Sequence, residues 1–299
     1  MSLFANAYGN FLSTALPYYQ AMPGIVTPYG TLLKPGGRIA AYVRSTGAQD
    51  GEDHFASSGM LVSTINAGLA RCRASQNDIV YVLPGHTETF AATGSIFGTS
   101  LVAGAQIIGV GSPGATNNPT INLTHAGASV ALSSANVTLS GLNIVGGVAT
   151  ATASIVASAA GVSIAGCFIN LGGFALGANV GVLASSAPNF SFVGNHYVAD
   201  STTFMLNVAG ATSTNFQIVG NMFRQAQGTS GGSFVGGADT ALISGVCGFN
   251  AGKTATAGTP GTGFDLDAAN IIATVLNLEN YCTDNVATAG VIATGAIFS

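Results

Sequence analysis

From about residue 100 onward the chain alternates apolar and polar positions over short runs, and one phrase keeps returning. NVTLSGLNI surrounds Gly141, GVSIAGCFI Gly166, NFSFVGNHY Gly194, NFQIVGNMF Gly220, and a looser ALISGVCGF Gly245. The intervals between these glycines are 25, 28, 26 and 25 residues. A second ladder lies between them: ASVALSSA, ASIVASAA, VGVLASSA, MLNVAGAT, SFVGGADT and GFDLDAAN, ending with GVIATGAI. Each repeat holds two or three β-rich segments joined by Gly, Asn and Ser. A period of this length built from strands without helices predicts a solenoid.

Geometry narrows the solenoid to a coil of strands. About 25 residues at roughly 3.3 Å each close one turn of chain, and successive turns stack about 4.8 Å apart. Alternation in VTLSGLNI puts Val137, Leu139, Leu142 and Ile144 inward and turns Thr138 and Asn143 outward, with Gly141 at the bend between two strands. The expected fold is all-β: a right-handed parallel β-helix over residues 57–299.

Open strand edges at the ends of such a coil invite aggregation unless they are covered. In SSGMLVSTINAGLARCRAS, Leu61, Ile65, Leu69 and Cys72 recur at helical spacing, Ser57 or Ser58 offers an N-cap, and Arg71 and Arg73 stand near the far end. This segment predicts a short capping helix near 59–72. NDIVYVLPGHTETF follows as a β-rich run broken by a Pro-Gly turn. The terminal GVIATGAIFS carries no comparable cap, so the expectation there is cover from another subunit or surface.

Residues 1–56 are of a different kind. Pro17, Pro23, Pro28, Pro35 and Gly36-Gly37 oppose a long helix, and the segment reads as an extended arm. Its aromatics, Phe4, Tyr8, Phe11, Tyr18, Tyr19, Tyr29 and Tyr42, are too many for a solvated tail. An arm of this composition is expected to lie on a partner, with Phe4, Tyr8, Phe11, Tyr18, Tyr19 and Tyr29 as its binding residues.

Charge changes the picture next. The 299 residues include 7 Lys+Arg and 11 Asp+Glu, against roughly 25% charged residues in ordinary soluble domains, while Gly numbers 42 and Trp is absent. Ten of the eighteen charges fall in residues 1–90. A net charge of −4 with scattered cations lacks the basic stripe that phosphate neutralisation needs, so no nucleic-acid partner is expected. Mean hydropathy is +0.50, yet Gly, Ser, Thr or Asn interrupts every apolar stretch well before a membrane span, so no membrane partner is expected either. MSLFANAYGNFLSTALPYYQ lacks a basic start and a continuous apolar core, which reads as cytoplasmic synthesis without a signal peptide.

Little in the sequence announces chemistry. Cys72, Cys167, Cys247 and Cys282 fit no metal spacing and read as buried free thiols. His86 and Glu88 form an H-x-E without the P-C-x-x-C that accompanies it in zinc deaminases, and read as turn residues. Asp50, Glu52, Asp53 and His54 read as a solvated loop cluster, and Gly109, Gly111 and Gly114 as a tight turn, since no Lys follows to make a phosphate loop. Asp265 and Asp267, two apart on one strand face, with Arg224, are the first suspects if the chain cleaves glycans, because acid/base cleavage needs paired carboxylates. The expectation is no catalytic site, no metal and no cofactor.

GGRIAAYVRSTGAQDGED, INAGLARCRASQNDIVYVLPGHTETF and IIGVGSPGATNNPTINLT, in that order, resemble a pectin-lyase-like β-helix family found among tailed-phage virion genes. The wording extends over residues 36–170, and beyond that only the repeat carries the likeness. The resemblance implies a capsid decoration, or cement, protein: a homotrimer on the virion surface whose partner is the major capsid protein of a tailed double-stranded-DNA phage. The alternative implied by the same fold is a tailspike or glycan-binding protein, or a passive fibre or adhesin module, because fold does not fix function.

Overall fold

The structure is a computed structural model, which describes residues 37–45, 60–146, 153–172, 180–199, 204–209, 212–225, 233–237, 242–253, 264–265, 274–278 and 280–283. Those residues form a parallel β-helix in which each turn of chain adds one strand to each of three sheets.

The first sheet has ten strands, ordered Leu61–Val62, Ile39–Val43, Ile79–Val82, Gln106–Gly109, Thr138–Ser140, Ser163–Ala165, Ser191–Val193, Thr212–Val219, Leu242–Gly248 and Thr274–Leu278. The second has eight: Thr87–Phe90, Thr120–Leu123, Asn143–Val145, Phe168–Asn170, His196–Ala199, Met222–Gln225, Ala251–Lys253 and Tyr281–Thr283. The third has seven: Gly94–Ser95, Ala128–Leu132, Ala153–Ala157, Val180–Ser185, Phe204–Ala209, Ser233–Gly237 and Phe264–Asp265. From Ala128 to Asp265 the third sheet coincides with the first six members of the second ladder read from the sequence, and the last, GVIATGAI, lies outside the described residues.

Register turns the repeat into columns of like residues. Val80, Ile107, Leu139, Ile164, Phe192, Ile218 and Cys247 stand one above another on the inner side of the first sheet. Ile121, Ile144, Ile169, Tyr197 and Phe223 do so on the second. All of these side chains are buried, and each contributes about 1.5–3 kcal/mol of apolar transfer. Toward the C-terminal turns the core becomes aromatic: Phe192 and Phe223 stack at 6.2 Å, and Phe223 meets Phe234 at 6.0 Å. Glycines make room for the rings. A Cβ at Gly252 would overlap the Phe234 ring, and one at Gly181 would overlap the Tyr197 hydroxyl, which donates to Met205 O at 2.7 Å.

The bend between the first and second sheets is a stacked left-handed residue. Gly141, Gly166, Gly194 and Gly220 have φ between 57° and 68° at equivalent positions. The fifth member is not Gly245. Because Val219 pairs with Gly248 and Met222 with Ala251, the residue at the place of Gly220 is Phe249, with φ 54°. Gly245 instead lies within the strand against Phe216.

Directly after this bend runs a ladder of side-chain amides. Asn195, Asn221 and Asn250 each donate through Nδ2 to Oδ1 of the next, ending on Asn280, at 3.1, 2.9 and 2.9 Å. Each Oδ1 also accepts the backbone N–H of the preceding asparagine, at 2.9, 2.9 and 3.2 Å. Each Nδ2 closes the bend by donating to a carbonyl of the first sheet: Ile164, Phe192, Ile218 and Cys247 respectively. Buried polar groups of this kind must all be paired or they cost heavily, and here the stacking of turns pairs them.

Two sequence expectations about the N-terminal region change. The helix, α1, spans only Ile65–Leu69; its N-cap is Thr64, whose side chain accepts from Ala67 N at 3.1 Å, not Ser57 or Ser58. Leu61–Val62 pairs with Tyr42 and Val43 as an edge strand, because Leu61 finds an apolar surface on the outside of the first sheet with Ile39, Tyr42, Ile79, Tyr81 and Ile108. Within the segment read as the arm, Ile39–Val43 belongs instead to the coil. IAAYV of Ile39–Val43 is fully buried and pairs with Ile79–Val82, so Tyr42 stacks on Tyr81 at 5.9 Å instead of projecting to a partner. Burial pushes the Tyr42 phenol up to about 12.

Candidate functional site at the helix cap

Ionisable side chains gather where α1 meets the first turn. Glu88 belongs to the inward column of the second sheet, in register with Ile121, at the open top of that column. A carboxylate there needs donors, and α1 supplies one: Ile65 N donates to Glu88 Oε2 at 2.9 Å. A negative charge at a helix N-terminus is favourable, although so short a helix has a small dipole.

His86, only 1% exposed, places Nε2 3.3 Å from Glu88 Oε2 and Nδ1 3.0 Å from Ser45 Oγ. Nε2–H donates to the carboxylate, and the one proton of Ser45 Oγ is shared between Nδ1 and the Thr87 carbonyl. Ser45 Oγ accepts the Thr87 N–H at 3.0 Å and lies 3.1 Å from the Thr87 carbonyl oxygen.

The sequence carboxylate–imidazole–hydroxyl is that of an activated nucleophile. Here the same three groups also hold backbone segments together. Ser45 Oγ engages the backbone of Thr87 on both sides, in the way a strand neighbour would, and the imidazole sits between the hydroxyl and the carboxylate with almost no surface exposed. The three residues tie the strand Ile39–Val43, the Pro84-Gly85 turn and α1 into one unit. The reading of His86 and Glu88 as plain turn residues is therefore revised. Ser45 was missed because it lies 41 positions from His86 in sequence.

A second polar group fastens the other end of α1. Asp78, fully buried, accepts from Arg73 Nη2 at 2.8 Å, Arg73 Nε at 3.0 Å and Arg73 N at 2.9 Å. Arg38 adds its backbone N–H at 3.2 Å and its Nε at 3.4 Å. Burial opposes ionisation of Asp78, but the hydrogen bonds from Arg73 and Arg38 outweigh it and hold the carboxyl at about 2.

The remaining sequence candidates fall elsewhere. Phe4, Tyr8, Phe11, Tyr18, Tyr19 and Tyr29, the proposed partner-binding residues, lie outside the described residues, as do Asp50, Glu52, Asp53, His54 and Asp267. Asp265 lies on the third sheet and Arg224 on the second, so they do not share a sheet. Cys72, Cys167 and Cys247 are free thiols, and burial pushes each up to about 12. Among the described residues no group of three His, Cys, Asp or Glu is placed to hold a metal ion, and no helix is long and apolar enough to cross a membrane.

Comparison of the chain with protein-family models, with curated proteins and with solved structures finds no match in any of the three.

Proposed function

We propose that this chain is a structural virion protein, a capsid decoration protein that stabilises the shell of a tailed double-stranded-DNA phage. The observation that carries the reading is where the polar chemistry goes. Asp78, Arg73, Arg38, Ser45, His86 and Glu88 are engaged in fastening α1 to the first turn, and the asparagine ladder is engaged in holding turn to turn. Polar groups used to lock a coil to itself suit a shell reinforcement. The likeness of residues 36–170 to phage β-helix decoration proteins supports the same reading.

In this proposal the major capsid protein is the partner and the protein acts as a homotrimer at threefold positions, where closed symmetry multiplies weak contacts. The aromatics Phe4, Tyr8, Phe11, Tyr18, Tyr19 and Tyr29 provide apolar area for docking at roughly 25 cal/mol per Å² buried. The reaction is mechanical: added contacts resist the pressure of packaged DNA, with no catalytic step and no cofactor.

Particles assembled without this chain test the proposal. They are expected to release DNA at a lower temperature than complete particles, and purified protein added back is expected to restore the difference. Equal release temperatures with and without the chain contradict it.

A further inference from the structure

Costly features concentrate at one corner of the coil. Phe249 occupies the left-handed bend position that Gly141, Gly166, Gly194 and Gly220 fill in the turns before it. A side chain there strains the backbone, and this one gains no burial in return: Phe249 is 56% exposed. Only one other large apolar side chain is counted as exposed among the described residues, Met222 at 54%. Met222 opens the second-sheet strand one turn earlier, in register with Ala251, two residues after Phe249. The two therefore stand at the same edge.

Beside them lies a like-charged pair. Arg224 and Lys253 are the only Lys or Arg residues after Arg73 in the whole chain, and they are register partners on adjacent strands. Both are exposed on the outer face of the second sheet, on strands about 4.8 Å apart, and neither forms an ion pair among the described residues. Like charges placed opposite each other across strands oppose the fold unless an anion lies between them.

We infer that the corner formed by Phe249, Met222, Arg224 and Lys253 is a docking surface for an acidic protein surface, which sets a carboxylate between the two cations and an apolar hollow around Phe249 and Met222. Exposed Phe, Met and Arg together are the composition of a protein interface core, and the pair of positive charges fixes the sign of the partner. The inference rests on the decoration reading in naming the shell as that partner. It adds a contact made by the coil itself.

The test is co-sedimentation of purified full-length protein with particles that lack it, using Phe249→Gly and the double substitution Arg224→Glu with Lys253→Glu, each also followed by thermal unfolding. Both variants are expected to bind at least about tenfold more weakly than the unaltered chain. Phe249→Gly is expected to unfold at the same or a higher temperature, so that docking and stability move in opposite directions. Unaltered binding by both variants, while the unsubstituted protein binds, overturns the inference and leaves the decoration reading standing. Failure of the unsubstituted protein to bind overturns both. If the variants lose retention on immobilised polygalacturonate while particle binding is unchanged, the corner serves an acidic glycan and the inference is wrong.

Discussion

Asn221 Nδ2 donates to Asn250 Oδ1 at 2.9 Å across two successive turns, while Asn221 Oδ1 accepts both the backbone N–H and the Nδ2 of Asn195. One side chain thus serves three turns of the coil and holds the Phe192 carbonyl at the bend as well, at 2.8 Å.

Removing it leaves several buried partners without a mate. Asn221→Ala is expected to destabilise the protein by about 2–4 kcal/mol, since each buried group left unpaired costs about 1–3 kcal/mol. Chemical denaturation measures this directly. A loss below about 0.5 kcal/mol, the level of a surface substitution, would show that the ladder does not hold the turns together.

The ladder stops at Cys167, which occupies the position of Asn195 one turn earlier and whose N–H already donates to Asn195 Oδ1 at 2.9 Å. Its thiol faces the Leu139 carbonyl at 3.9 Å, the group an amide at this position would reach. Cys167→Asn is expected to extend the ladder by one turn and raise stability by about 1 kcal/mol, the net worth of one added hydrogen bond. A lower unfolding temperature would mean that the site cannot accept the amide.

Two glycines separate backbone strain from crowding. At Gly220 φ is 66° and a Cβ would meet nothing within 4 Å, so Gly220→Ala is expected to cost about 1 kcal/mol from the left-handed backbone alone. At Gly252 a Cβ would overlap the Phe234 ring inside the core, and Gly252→Ala is expected to cost more, about 1–3 kcal/mol, through displaced packing. Equal unfolding temperatures for the two variants would contradict this assignment.

Acid should loosen the cap first. The Asp78 carboxyl is depressed in the folded protein, to about 2 from 3.8, so its contribution is present at neutral pH and is lost as pH falls from about 4 through 2. The shift corresponds to at most about 2 kcal/mol, reduced by screening because Arg38 and Arg73 are half exposed. Asp78→Asn is expected to lower stability at pH 7 and to flatten its dependence on pH between 4 and 2. An unchanged slope there would remove Asp78 from the account.

Much of the coil was legible before its structure, and particular residues show why. Gly141, Gly166, Gly194 and Gly220 announced the bend because glycine alone takes a left-handed turn without strain. Val137, Leu139, Leu142 and Ile144 are all fully buried, as alternation requires. Thr138 and Asn143 are buried too, against expectation. Asn143 Oδ1 accepts from Gly114 N and Asn118 Nδ2, because the Gly-rich turn after the strand Gln106–Gly109 folds back over the second sheet. Period alone does not reveal a covering loop.

The amide ladder went unread because Asn beside Gly looks like turn punctuation. Its signal was the recurrence of Asn195, Asn221, Asn250 and Asn280 at the same place in each turn. A glycine repeat points to Gly245 for the fifth bend whereas Phe249 holds it, and Ser45 joins His86 through pairing of strands that no local pattern encodes.

The central claim is that the chain is a shell component, and its abundance in purified particles tests that most directly. Quantitative peptide mass spectrometry of virions, with the chain counted against the major capsid protein, should find hundreds of copies per particle. A handful to a few dozen copies would place it on a tail appendage and contradict the account.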